Sequence, residues 1–277
     1  MSVWEHAASI FGRRLKAAGP DPGSAQPALD AVAEIAAGQA GRPATVQFRE
    51  IDFKVLHARG MVCPETDSSQ VAEEFRLIKQ PLIAKAFGQG AARIPRGNLI
   101  LVTSARTGEG KTFCATNLAI SLAMEMNRTI LLVDLDMMQP KAMTMLGVQA
   151  EHGLLDVLQD ARIAMSDVLI RTNLAKLMLL PSGRPYQRGA ELLASPVMLD
   201  LVTEMGARYD DRLIVFDAPS LLETPEVAQL AARMGQVVVV VEAGRTSRET
   251  LRKALDQLDA CENVSMLLNK ASPHPAG

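Results

Sequence analysis

Cysteine is scarce and scattered in this sequence: Cys63, Cys114 and Cys261 lie far apart and form no CxxC pair. An odd, dispersed set of this kind excludes a disulfide framework and points to reduced thiols. Histidine is almost as sparse, and His6, His57, His152 and His274 show neither metal-ligand spacing nor an HExxH pattern. Aromatic residues make up 4% of the chain, the net charge is −2 and the pI is about 6.1. With no basic stripe interleaved with aromatics, nucleic acid is not an expected partner. No apolar run approaches the ~20 residues that a membrane span requires. The most apolar, Val237 to Val241, has the length of a strand. The first residues are broken by Glu5, His6, Arg13 and Arg14, which a secretory signal would not tolerate. The expectation is a cytoplasmic protein.

What is present is an ordinary globular composition, 48% hydrophobic and 22% charged over 277 residues. Residues 1–19 can form a short amphipathic helix with Trp4, Ala8, Phe11 and Leu15 on one face. Gly19-Pro-Asp-Pro-Gly-Ser then breaks it, Ala28 to Ala37 allows a second helix, and Thr45 to Ile51 is strand-like. From residue 67 the character changes. Asp67 or Ser68 can cap a helix running through Phe75, with a break threatened at Pro81. After Gly97, apolar runs alternate with amphipathic segments. The runs are Leu99–Thr103, Ile130–Asp134, Leu177–Leu180, Leu213–Asp217, Val237–Glu242 and Ser265–Leu268. Helical patterns fall at Thr112–Met126, Ala190–Arg208, Pro225–Met234 and Ser247–Leu258. Near-continuous β-branched runs separated by helices predict an α/β fold, a mostly parallel sheet flanked by helices on both faces. The expected division is a helical or flexible N-terminal region, 1–66, followed by one domain, 67–277.

Directly after the first run comes Ala105-Arg-Thr-Gly-Glu-Gly-Lys-Thr112, which has the Walker A form of a P-loop NTPase with alanine at the usual first glycine. Gly108 and Gly110 let the backbone curl so that successive N–H groups face phosphate oxygens. Lys111 offers a point charge to the β and γ phosphates of ATP, and Thr112 a hydroxyl to Mg²⁺. The helix that starts here turns its positive end to the same anion. The nucleotide-binding stretch is therefore Thr107, Gly108, Glu109, Gly110, Lys111, Thr112 and Phe113.

Two later runs end in acid, at Asp134-Leu-Asp136 and at Asp217. Ligands of open parallel sheets sit at the carboxyl ends of the strands. The three aspartates can therefore gather near one Mg²⁺, directly or through water. Asp217 fits a Walker B role. Asp134 and Asp136 straddle the pleat and cannot both point the same way within a strand. One holding metal while the other acts as a base, and one capping a loop, both remain open.

Together, Gly108-Glu-Gly-Lys-Thr112, Asp134-x-Asp136 and Leu213–Asp217 resemble the bacterial P-loop tyrosine kinases, in particular the autokinases linked to exopolysaccharide and exosortase loci. Gly60-Met-Val-x-Pro64, Glu73-Glu-Phe-Arg-Leu-Ile-Lys79, Glu191-Leu-Leu-Ala-Ser195, Val241-Glu-Ala-Gly244 and Leu268-Asn-Lys270 extend the resemblance over most of the chain. The resemblance implies transfer of the γ-phosphoryl group of ATP to tyrosine, with Lys111, Asp134 and Asp136 catalytic and Thr112, Asp134 and Asp217 at the metal. It places Asn269 against adenine, although a loop-capping amide is equally readable from the residue itself. It makes Glu73, Arg76 and Lys79 a ring-forming helix motif, against the alternative of an intramolecular charged face. It also implies a membrane partner of the chain-length-determinant type, a polysaccharide co-polymerase holding the protein at the inner membrane.

Two departures stand out. Where the family usually has arginine, two residues after the second aspartate, this chain has Met138, and Arg106 or Lys141 would have to compensate. The family's tyrosine-rich tail is missing: only Tyr186 and Tyr209 occur in the sequence. A kinase acting on another tyrosine, use of Tyr186, and a nucleotide-gated assembly switch of the pseudokinase or partitioning-ATPase kind are the readings that follow.

Overall fold

The computed structural model describes residues 46–64, 69–160, 162–208 and 212–271. The two helices expected before residue 45, the cap at Asp67 or Ser68, and Tyr209 lie outside these residues.

The chain forms an eight-stranded sheet in the order β1-β4-β5-β3-β6-β2-β7-β8. Its strands are β1 (Gln47–Arg49), β2 (Leu99–Ser104), β3 (Ile130–Asp134), β4 (Ile170–Thr172), β5 (Leu177–Leu180), β6 (Leu213–Asp217), β7 (Gln236–Glu242) and β8 (Val264–Asn269). Every pairing is parallel except β4 with β5. The helices are α1 (Phe53–Ala58), α2 (Gln70–Phe87), α3 (Lys111–Glu125), α4 (Ala142–Met145), α5 (Leu154–Gln159), α6 (Met165–Val168), α7 (Gly189–Leu193), α8 (Pro196–Arg208), α9 (Val227–Ala231) and α10 (Arg248–Leu255).

Strand side chains alternate between faces, and both faces of the central strands are apolar. Leu99, Leu101, Ile214, Phe216, Val237 and Val239 pack on one side with Met198, Leu201 and Met205 of α8 and Leu230 of α9. Ile100, Val102, Leu213, Val215, Val238 and Val240 pack on the other with Phe75 and Leu82 of α2 and Leu118 and Leu122 of α3. This double burial is why the strands read as unbroken apolar runs.

The core reaches back beyond the change in character at residue 67. β1 pairs with β4, and Ile51, Leu56, Met61 and Val62 are buried in the same cluster as Phe75 and Ile100. Asn173 sews this segment down by accepting from the Ile51 amide at 2.9 Å and donating to its carbonyl at 3.0 Å. Asn117 on α3 accepts from the Val62 amide at 2.6 Å.

Other boundaries shift for local reasons. Ser69 caps α2, and the helix continues through Pro81. That proline is exposed, so the carbonyl it leaves unpaired can turn to water. The helix expected over Ala190–Arg208 is two helices, because the Ser195 hydroxyl accepts from the Met198 amide at 3.2 Å and Pro196 opens α8.

Candidate functional site

The P-loop leaves β2 and enters α3 at the carboxyl end of the sheet. Gly108 and Gly110 have φ of +94° and +99°, a region L side chains rarely adopt. A Cβ at Gly110 would also lie 2.1 Å from Asn269 Nδ2. α3 begins without a side-chain cap, whereas α2 and α10 are capped by Ser69 and Ser247. Its first-turn N–H groups are thus left for an anion.

Lys111 is buried at the head of α3, with its Nζ 3.1 Å from Asp136 Oδ2. Burial alone would lower its pKa, but Asp217, Asp136 and Asp134 together raise it, so it stays a cation. Asp134 and Asp217 face each other across paired strands. Burial, foremost, pushes both carboxyls above the usual range; Asp217 adds to the effect on Asp134, while Lys111 opposes it on Asp217.

The pleat conflict is resolved because β3 ends at Asp134, leaving Asp136 in the following loop. Asp134 turns inward and accepts from the Asp136 amide at 3.0 Å and the Ala142 amide at 3.1 Å. Asp136 reaches Lys111. Among the described residues neither carboxylate oxygen of Asp217 has a partner within ordinary hydrogen-bond geometry, although the Thr112 hydroxyl lies close enough to favour its charged form. An orphaned buried carboxylate beside a threonine hydroxyl fits a divalent cation. Among the described residues no three His, Cys, Asp or Glu side chains converge on a metal position. An ion here would draw its other ligands from phosphate and water, as Mg²⁺ does.

Several expected residues hold the loop. Glu109 is buried; its carboxylate accepts from the Arg106 amide at 2.8 Å and from the Thr246 hydroxyl. Asn269 Nδ2 donates to the Glu109 carbonyl at 2.9 Å. Thr107 donates its amide, at 3.0 Å, and its hydroxyl to Glu223. Phe113 is half-buried and packs against the core behind the loop. Met138 is exposed, and Lys141 supplies positive charge near Asp217. Cys114 is a buried thiol pushed up to about 12, mainly by burial, which keeps it protonated.

The expectation for Lys79 needs correction. It does not share an exposed face with Glu73 and Arg76: it is 2% exposed and donates to the Ser121 carbonyl at 2.8 Å and hydroxyl at 2.9 Å, with Glu125 at 2.7 Å. Positions i, i+3 and i+6 spread over about 120° of a helix, and the last rolls under α2 onto α3. Glu73 and Arg76 stay exposed and pair with each other.

Sequence reasoning missed Glu223, Thr246 and Lys270. Lys270 Nζ donates to the Gly108 carbonyl at 2.8 Å. Each lies far from the P-loop in sequence, and only Lys270, beside Asn269 in a familiar string, carried a signal.

The sequence pattern of the AAA domain family matches residues 97–270. The tyrosine-protein kinase YwqD of Bacillus subtilis is 32% identical over 164 residues, 59% of this chain and 68% of its own length. The tyrosine-protein kinase CpsD of Streptococcus agalactiae is 28% identical over 179 residues, 63% of this chain and 76% of its own. Two longer tyrosine-kinase relatives are matched over only 21% and 22% of their length. The solved kinase domain of the Escherichia coli tyrosine kinase ETK superposes with a TM-score of 0.64 at 20% identity, covering 86% of this chain and 88% of that one, and so shares the fold.

Proposed function

Because the chain belongs to the bacterial P-loop tyrosine-protein kinases, we propose that the Lys111 site binds Mg-ATP and passes its γ-phosphoryl group to a tyrosine in a system that polymerises and exports polysaccharide. The observation that carries this reading is a buried lysine ringed by three aspartates at the uncapped start of α3. Lys111 gives up Asp136 to meet phosphate oxygens. Released, Asp136 can accept the phenolic proton, which at a pKa of about 10 does not leave unaided at neutral pH. Thr112 and Asp217 would hold Mg²⁺, directly or through water, and the ion would supply neutralisation of charge on the phosphates. Asp134 fixes the loop that carries Asp136. Asn269 positions the P-loop in place of, or before, any contact with adenine.

No described helix is long and apolar enough to cross a membrane. We infer that the chain reaches the inner membrane through a co-polymerase partner, with Glu73 and Arg76 available for a ring. The test is incubation with Mg-ATP and the partner's cytoplasmic segment, followed by mass spectrometry for phosphotyrosine. The kinase reading expects phosphotyrosine that vanishes in Lys111→Met. ATP binding without phosphotyrosine anywhere would replace it with a nucleotide-gated switch.

A further inference from the structure

We propose that a basic trough beside the Lys111 site docks the acceptor as an extended acidic segment carrying the tyrosine, a reading that rests on the kinase function above and names its substrate class. Two open cavities form the trough, an inner one of about 410 Å³ and an outer one of about 860 Å³, and Pro140 and Thr144 line both. The inner cavity adjoins the site itself. Phe113, which follows Thr112, lines it, as does Lys141, whose positive charge acts on buried Asp217. The Asp136 carboxylate accepts from the Gln139 amide at 3.0 Å, so one short loop carries both the base and the wall of the trough. The outer cavity lies beyond the carboxyl end of β5, where Pro181, Ser182 and Gly183 leave the sheet. Ligands of open parallel sheets gather at this end.

Charge says what the trough takes. Arg59 and Lys141 line the inner cavity, Arg49 and Arg184 the outer, and all four are exposed. Among the described residues Glu151 is the one carboxylate that lines either cavity, and His152 is turned to Asp156 at 3.3 Å. None of the four cations has a carboxylate within salt-bridge distance among those residues. Arg49 donates to the carbonyls of Gln149 and Phe48 and to the Gln47 side-chain oxygen, and Arg59 to the Met145 carbonyl. Arg76, Arg162 and Arg188, elsewhere on the surface, each hold a carboxylate.

The outer wall is preformed, because a Cβ at Gly153 would collide with the Gly183 amide nitrogen and the two backbones therefore touch. Ser182 in this wall is 2% exposed, and its hydroxyl has no partner among the described residues, which leaves a donor for a ligand. The inner cavity is apolar at Met61, Phe113 and Met145 and suits an uncharged residue next to the tyrosine. A segment with carboxylates flanking its tyrosine matches this order, apolar beside the chemistry and anionic farther out. A small polyanion would use the arginines and leave the inner cavity unfilled.

The experiment gives the full chain, with Mg-ATP, two synthetic peptides that differ only in a run of glutamates or of lysines flanking a single tyrosine. Expected is a KM roughly tenfold lower for the glutamate peptide with kcat within about twofold, a gap that narrows at high salt. In the double variant Arg49→Glu/Arg184→Glu the preference should vanish or reverse, while Mg-ATP affinity and thermal melting, the folding controls, stay unchanged. Equal KM for the two peptides, a preference that survives the double variant, or transfer to neither peptide while another tyrosine is phosphorylated would overturn the proposal and leave the kinase standing. A second readout needs no turnover. A fluorescent glutamate peptide with phenylalanine in place of tyrosine should bind the wild type and lose about tenfold in affinity in the double variant, read by anisotropy. Equal binding by both proteins contradicts the proposal. Phosphatidylglycerol vesicles test the competing occupant: binding to them that is lost in the double variant, with the peptides indifferent to charge, would assign the trough to a lipid surface instead. If no tyrosine is phosphorylated in any protein or peptide, the kinase function falls and this proposal with it.

Discussion

Lys79 and Lys111 are both buried, and their surroundings differ in kind. Lys79 fills its donors from α3, with a carbonyl, a hydroxyl and a half-exposed carboxylate all within 2.9 Å. Among the described residues Lys111 has one hydrogen-bond partner, Asp136, although three aspartates surround it. A cation with its donors filled holds a fold together. A cation kept charged by neighbours it does not fully engage is ready for an anion. Both lysines belong to a recognisable sequence string, so only their surroundings separate structural cement from chemistry.

The comparison breaks if the two lysines respond alike to substitution. Lys111→Met should lower phosphoryl transfer by at least about 100-fold, the scale of losing a transition-state charge partner, with thermal melting little changed. Lys79→Ala should do the reverse. It leaves a cavity and unpaired acceptors between α2 and α3, which costs about 3 kcal/mol, or roughly 6–12 °C in melting temperature. The folded protein should still bind nucleotide as wild type does.

The acidic side of the site sharpens the contrast through pH. Asp134 has a folded pKa raised above its unfolded value, chiefly by burial. The folded state therefore holds more protons than the unfolded state between those two values, and stability falls as pH rises through that window. Urea unfolding between pH 5 and 7.5 should show the decline, at most about 1.4 kcal/mol per pH unit for one group. Asp134→Asn should flatten the slope whatever it does to absolute stability.

Smaller effects are expected at the rim. Glu223 accepts from the Thr107 hydroxyl and amide, and its pKa is lowered by those hydrogen bonds. Glu223→Gln removes a negative charge near the phosphate position and should tighten Mg-ATP binding roughly threefold, as read by calorimetry. Least of all, Glu73→Ala and Arg76→Ala should alter chain stability by no more than about 0.5 kcal/mol. Light scattering of the same variants decides whether these residues join copies of the chain.

The fold was legible because the central strands are buried on both faces, so Ile130–Asp134, Leu177–Leu180 and Leu213–Asp217 were read with their observed limits. β4 was not: a strand of three residues leaves too short a pattern to register. The place of β1 was hidden as well, because its partner lies 123 residues away and sequence pattern carries no pairing information. In the site, Lys111, Thr112 and the three aspartates were legible because strand ends and the P-loop fix their positions. The orientation of Asp134 was not, since it depends on where β3 stops. Lys79 was misread because its spacing suits a charged face, and only the approach of α3 shows which side of α2 is covered.

Calorimetric titration of Mg-ATP into wild type, Lys79→Met and Lys111→Met separates the two buried lysines in one measurement. Wild-type affinity is expected for the Lys79 variant and at least about 100-fold weaker binding for the Lys111 variant. Unchanged binding in Lys111→Met, or equal losses in both, would contradict the claim that Lys111 is held in readiness for phosphate.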